Sequence, residues 1–110
     1  MGMAVEKARV IALAMNDASL KRKIAEIASD TSRVVITKHA KKRMRERHVL
    51  PTQVLHCLLR GHVVEPAHQD ITGCWRCTLE VLSSGDLIRV AAAVDKNEEG
   101  ELVVVITVMN

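Results

Sequence analysis

The sequence predicts an α+β fold, with helices over its first sixty residues and a β-meander over the rest. Two observations carry this. Apolar residues recur at helical spacing up to about Gly61, and with a period of two after it. The clusters Ser83-Ser84-Gly85-Asp86 and Lys96-Asn97-Glu98-Glu99-Gly100 then cut the C-terminal half into extended runs. A chain of 110 residues, 48% hydrophobic and 26% charged, is one small globular domain, which excludes disorder for most of it.

The elements follow in order. Residues 4–29 read as helix: Val5, Ala8, Ala12 and Met15 share one face, and Leu20, Ile24, Ile27 and Ala28 share a second. Asn16 to Ser19 lie between the two and offer N-cap side chains, so one bent helix and two helices are equally compatible with the pattern. Val34 to Ile36 form a short extended stretch. Thr37 is an N-cap for a helix through about Arg47. Pro51 suits the first position of a further helix. Its buried stripe is Val54, Leu55, Leu58 and Leu59, and Gly61 is its C-terminal stop. A strand begins at His62, and Pro66 places it near an edge or an end. Trp75, Cys77, Leu79 and Val81 alternate with Arg76, Thr78, Glu80 and Leu82, as do Ile88, Val90, Ala92 and Val94 with their neighbours. Leu102 to Met109 is nearly continuous apolar sequence, as in a central strand. The expectation is N-terminal helices packed on a twisted, four-stranded antiparallel sheet. Residues 1–33 would be a helical extension and residues 34–110 the α+β domain.

Charge is unevenly distributed. Residues 1–60 hold 13 Lys and Arg against 5 Asp and Glu, and residues 61–110 hold 3 against 8, so +8 and −5 sum to the net +3. Either a basic face awaits a polyanion, or the two halves pair with each other. One Trp, no Tyr and no Phe exclude an aromatic base-stacking platform and a tyrosine acid or base. The odd set Cys57, Cys74 and Cys77 fits reduced thiols. No apolar run reaches membrane length and no signal core opens the chain, so a cytoplasmic protein with no membrane contact is expected.

The segment Lys38 to His48 holds six cationic residues and one acid in eleven. On a helix His39, Arg43 and Arg47 form a single stripe at spacings of four. A helix N-terminus, a histidine and guanidiniums are the parts that metal-free RNA cleavage needs. A base takes the 2′-OH proton, an acid protonates the leaving oxygen, and cations hold the phosphorane charge. The plainer reading is a solvated basic face.

The pattern His39-x-x-x-Arg43-Met44-x-x-Arg47, followed by Val49, Val54, Leu55 and Gly61 and then a run of strands, resembles the family catalogued as domain of unknown function 4258. That family is grouped with the RelE/ParE-like toxins, alongside BrnT. The resemblance spans about residues 34–109. It implies two helices on a twisted antiparallel sheet and a metal-independent endoribonuclease of toxin type, with an antitoxin protein as a partner. It carries His39, Arg43 and Arg47 as the catalytic set, His39 as general base or acid and the arginines as phosphate ligands. Lys38, Lys41, Lys42, Arg45, Arg76 and Arg89 would be further nucleic-acid contacts. Leu102 to Met109 departs from the better-studied ribonucleases of that superfamily, which often place Arg, Lys or Tyr on their late strands. The alternative is therefore a binding module for RNA, another phosphate-rich polyanion or a protein, which kept the fold without the reaction. The N-terminal helices could also pair two copies.

Cys74-Trp75-Arg76-Cys77 is one C-x-x-C where a zinc site needs a second pair, and it opens a strand, whereas redox pairs sit at helix N-termini. Neither metal nor cofactor is expected.

Overall fold

A computed structural model describes residues 16–110. The helix expected over residues 4–15 lies outside them. The described elements are α1 (Asp17–Ala28), a short 3₁₀ turn (Thr31–Arg33), β1 (Val34–Ile36), α2 (Lys38–Arg47), α3 (Pro51–Arg60), β2 (His62–Gln69), β3 (Trp75–Ser83), β4 (Asp86–Asn97) and β5 (Gly100–Met109). Asn16 caps α1, its side chain accepting from Ser19 N at 2.8 Å.

The sheet has five strands, not the four expected, and it is mixed, not purely antiparallel. Its order is β1-β5-β4-β3-β2. The added strand is the short stretch Val34–Ile36, which runs parallel to β5 and pairs residue by residue with Val103, Val104 and Val105. Three residues are too few to show a period of two, which is why this stretch reads only as extended. β2 is the opposite edge, and it tolerates Pro66 there, because an edge residue can forgo a ladder hydrogen bond. Asp17 blunts that edge by accepting from Ala67 N at 2.8 Å.

The Ser84-Gly85 turn between β3 and β4 has both central residues at positive φ, 52° and 84°. This pairing twists with the strands it joins. β5 carries a bulge: Ala91 pairs with Thr107 but Ala92 with Val105, leaving Ile106 as the extra residue.

One core serves the whole described chain. Leu20, Ile24, Ile27 and Ala28 of α1 are buried with Val54, Cys57 and Leu58 of α3 against Cys77, Leu79, Ile88, Val90, Val103, Val105 and Val108. Each large aliphatic side chain so buried contributes about 1.5–3 kcal/mol. The α1 stripe is thus spent inside its own chain. The stripe of α3 also differs from expectation. Leu59 is exposed, and Gln53 and Cys57 share the buried face with Val54 and Leu58. Gln53 Nε2 donates to Ser83 O at 3.1 Å, tying the start of α3 to the β3–β4 hairpin.

Gly61 ends α3 for a different reason than expected. Its backbone is extended, at φ −66°. A Cβ there would overlap Cys57 O and lie 3.1 Å from Leu79 Cβ, so close packing, not a left-handed turn, requires glycine. The left-handed stop belongs to α2, at His48 (φ 56°). Val49 N donates to Met44 O at 2.9 Å and His48 N to Arg45 O at 3.4 Å, closing a Schellman motif.

Candidate nucleic-acid interface

β1 stops opposite Val105, while β5 runs on to Met109. α2 lies beside this remainder of β5. Thr37 fixes its start: the hydroxyl donates to Val105 O at 2.9 Å, at the bulge, and accepts from Ala40 N at 3.1 Å as the helix cap. Asn110 Nδ2 donates to Arg47 O at 3.2 Å and holds the other end. Between these anchors Ala40 and Met44 enter the core.

Helical geometry then divides the remaining side chains, with about 100° between successive residues. His39, Arg43 and Arg47 flank the buried pair on one side. Lys41, Arg45 and His48 flank it on the other. Lys38, Lys42 and Glu46 crown the solvent side. His39 Nε2 lies 3.2 Å from Thr107 Oγ1, so the stripe borders the sheet face on which Thr107 stands. That face is opposite α1 and α3. Its rows, read from the strand register, are Thr107–Ala91–Thr78–Glu65, Met109–Arg89–Glu80–His62, and Val104–Ala93–Arg76–His68.

The sequence-predicted cations therefore separate into groups. Arg43 has only a long contact, 3.9 Å, to Glu46, with both groups well exposed. Pairs of this kind contribute little. Among the described residues, no carboxylate pairs with Lys38, Lys42 or Arg47. Arg89 does share the outer sheet face, but it is ion-paired with Glu80, whose other oxygen lies 3.7 Å from His62 Nε2. Its charge is largely answered within the chain. Arg76 stands two rows from Arg89, just beyond the Thr107 row, and is half-buried. Beside it, Asp70 organises the β2–β3 turn. Its carboxylate takes hydrogen bonds from the Thr72 hydroxyl (2.5 Å), Thr72 N (2.9 Å) and Cys74 N (3.1 Å). Those bonds, the Thr72 hydroxyl foremost, and the charge of Arg76 hold its carboxyl below the ordinary carboxylate range.

Lys41 and Arg45 do not face the stripe. With His48 they rim a groove of about 630 Å³ floored by Ile36, Met44, Val49, Leu50 and Pro51.

Two of the three thiols are buried and unreactive in this arrangement. Burial pushes Cys57 up to about 12 and Cys77 up to about 11, from an ordinary 9.0. Cys74 is half-buried just before β3. Among the described residues no group of three or more His, Cys, Asp or Glu is placed to hold a metal ion.

The sequence did not single out Thr107 or Asn110. Thr107 had a signal, as the one polar residue in the run from Leu102 to Met109. Asn110 had none.

Fold and site together define a small α+β domain that lays a basic helix along the unfilled edge of its sheet. The chain belongs to the family described as a domain of unknown function, DUF4258, which matches residues 36–110. That match begins at the end of β1 and takes in α2, α3 and the meander. Neither the curated proteins nor the solved structures contain a match to it.

Proposed function

We propose that this chain is a RelE/ParE-like domain that grips RNA phosphodiesters along the His39–Arg43–Arg47 stripe and cleaves them without a metal, His39 moving the proton. The observation that carries the reading is the seating of His39 on Thr107, 3.2 Å away, on a helix anchored at both ends. A hydrogen-bonded imidazole one helical turn from a guanidinium combines a group able to take or give a proton with cations for the developing phosphorane charge. In the reaction His39 takes the 2′-OH proton, the 2′-oxygen bonds to phosphorus, and the P–O5′ bond breaks. The products are a 2′,3′-cyclic phosphate and a 5′-hydroxyl, the leaving oxygen taking its proton from water or from the histidinium. Arg43 and Arg47 hold the non-bridging oxygens. Lys38, Lys42 and Arg76 are outer cations.

A second reading, RNA binding without cleavage, is favoured by two observations. Among the described residues no second acid or base is hydrogen-bonded to the stripe, and the arginine on the β4 row of the adjoining sheet face is neutralised by Glu80.

The deciding experiment incubates purified protein with total cellular RNA and EDTA, beside His39→Ala. A fall in cleavage of about 10²–10⁴-fold in the variant is the expected result, the usual contribution of a general acid or base. Cleavage that survives in His39→Ala, or that EDTA abolishes, overturns the catalytic assignment. Salt-sensitive RNA binding with no cleavage establishes the second reading instead.

A further inference from the structure

We infer that the groove on the other flank of α2 is a docking site for an acidic, apolar segment of a partner protein. It is separate from the stripe, because the buried pair Ala40 and Met44 lies between them.

The walls state what the occupant must be. Ile36, Met44, Val49, Leu50 and Pro51 are apolar, and Leu50 is 60% exposed in a position that α3 does not cover. Among the described residues the rim carries Lys41, Arg45 and His48 and no carboxylate, and none of these three makes an ion pair. A bulky aliphatic side chain would remove the floor from water, while flanking carboxylates would meet the rim.

Three other occupants fit less well. Nucleic acid would find no aromatic surface for its bases, since the only aromatic residue, Trp75, lies on β3 and not in the groove. A second copy could offer its acidic β4–β5 turn, but Asp95 to Glu101 contains no apolar anchor. The chain's first fifteen residues are apolar enough, but they carry Lys7 and Arg9 against Glu6 and so bring the wrong charge.

The geometry also makes the site rigid. The Schellman turn fixes His48 and Val49, Pro51 begins α3, and Leu50 N donates to Gln53 Oε1 at 2.9 Å. A floor set by two helix ends gives little entropy back on binding.

The test uses the full chain and a fluorescein-labelled, amidated peptide of about four helical turns, built on Ala with Leu and Glu along one face. Two control peptides replace Glu by Lys, or Leu by Ser. Phosphatidylserine vesicles are run in parallel. The Leu–Glu peptide is expected to bind. Its affinity should fall about tenfold or more in Arg45→Glu and in Leu50→Ser, and stay unchanged in Arg43→Glu. Leu50 is the N-cap of α3, a position that serine favours, so Leu50→Ser should fold, and a thermal melt checks it. Equal binding of the Lys peptide overturns the inference, and so do indifference to Arg45→Glu and Leu50→Ser, binding to vesicles but not peptide, or no peptide binding at all.

Discussion

The two flanks of α2 have the same chemical inventory and different surroundings. His39, Arg43 and Arg47 lie on one side, and Lys41, Arg45 and His48 on the other: two strong bases and one histidine each. The first flank meets Thr107 and the Asn110 amide at the edge of β5. The second meets Ile36, Val49, Leu50 and Pro51. On the proposed reading, polar surroundings suit the first flank to a small anion. Apolar neighbours make the same cations the rim of a surface that an extended partner can cover. The function of a basic helix is thus decided less by its charges than by what lies beneath them.

The largest effect expected is on what both flanks share. Met44 is 7% exposed and separates them. Met44→Ala should cost about 2–5 kcal/mol of stability. It should weaken RNA and peptide binding together, as read by denaturant melts beside the two binding assays. Loss of one function with the other intact would show that the flanks are positioned independently.

Thr37→Ala should come next, at about 1–2 kcal/mol, since it removes both the cap and the bond to Val105 O. Its effect should be uneven. The His39 end of the stripe sits in the first turn after Thr37, whereas the groove is braced by the C-terminal end of α2. RNA affinity or cleavage should therefore fall more than peptide affinity, measured under conditions where the variant is folded.

Much of this was legible in the sequence, and the gaps have physical causes. Thr37 as a cap, helix α2 to Arg47, Pro51 at the start of α3 and the Ser84-Gly85 turn are local signals, and each stands where the residues place it. Non-local choices were not legible. Whether Val34–Ile36 joins the sheet depends on a partner strand near residue 104. Whether Arg89 is available depends on Glu80 lying opposite it across β3 and β4. The stripe itself was readable from spacing, but its division from Lys41 and Arg45 needed the direction of the core. The groove was invisible, because Ile36 and the Val49–Pro51 turn come together only when α2 packs on β5.

Alkaline titration isolates the core from either flank. The folded-state values of Cys57 and Cys77, about 12 and 11, lie above the ordinary 9.0 because burial disfavours the thiolate. The stabilisation is complete below pH 9. It is lost as pH rises from there toward 11–12, where the unfolded chain gives up protons that the folded chain retains. Denaturant midpoints should therefore fall across that window, in parallel for wild type, Arg43→Ala and Arg45→Ala. In the native protein at neutral pH, an alkylating reagent should modify Cys74 and spare the other two, as peptide mapping would show. Labelling of Cys57 would mean that the α3–sheet core opens.

Salt dependence distinguishes the flanks more finely. For single-stranded RNA, neutralising one phosphate fewer makes the slope of log K against log salt shallower by about 0.7. Arg43→Ala or Arg47→Ala should show that change, and Arg45→Ala should leave the slope where it was. An equal change in all three would merge the flanks into one diffuse basic surface.

The smallest effect is the most informative about the second flank. His48 occupies a left-handed backbone position, φ 56°, where glycine would be free of the Cβ penalty. His48→Gly relieves that strain but also loosens the unfolded chain, and the two effects partly cancel. The protein should stay as stable or gain up to about 1 kcal/mol, seen as an unchanged or slightly higher Tm. A side chain that costs the fold something and can be removed without harm is explained by what it contacts outside the chain. Affinity for the Leu–Glu peptide should therefore fall a few-fold in His48→Gly while RNA binding holds. A lower Tm would instead assign His48 a structural role in ending α2, and the groove would then rest on Lys41 and Arg45 alone.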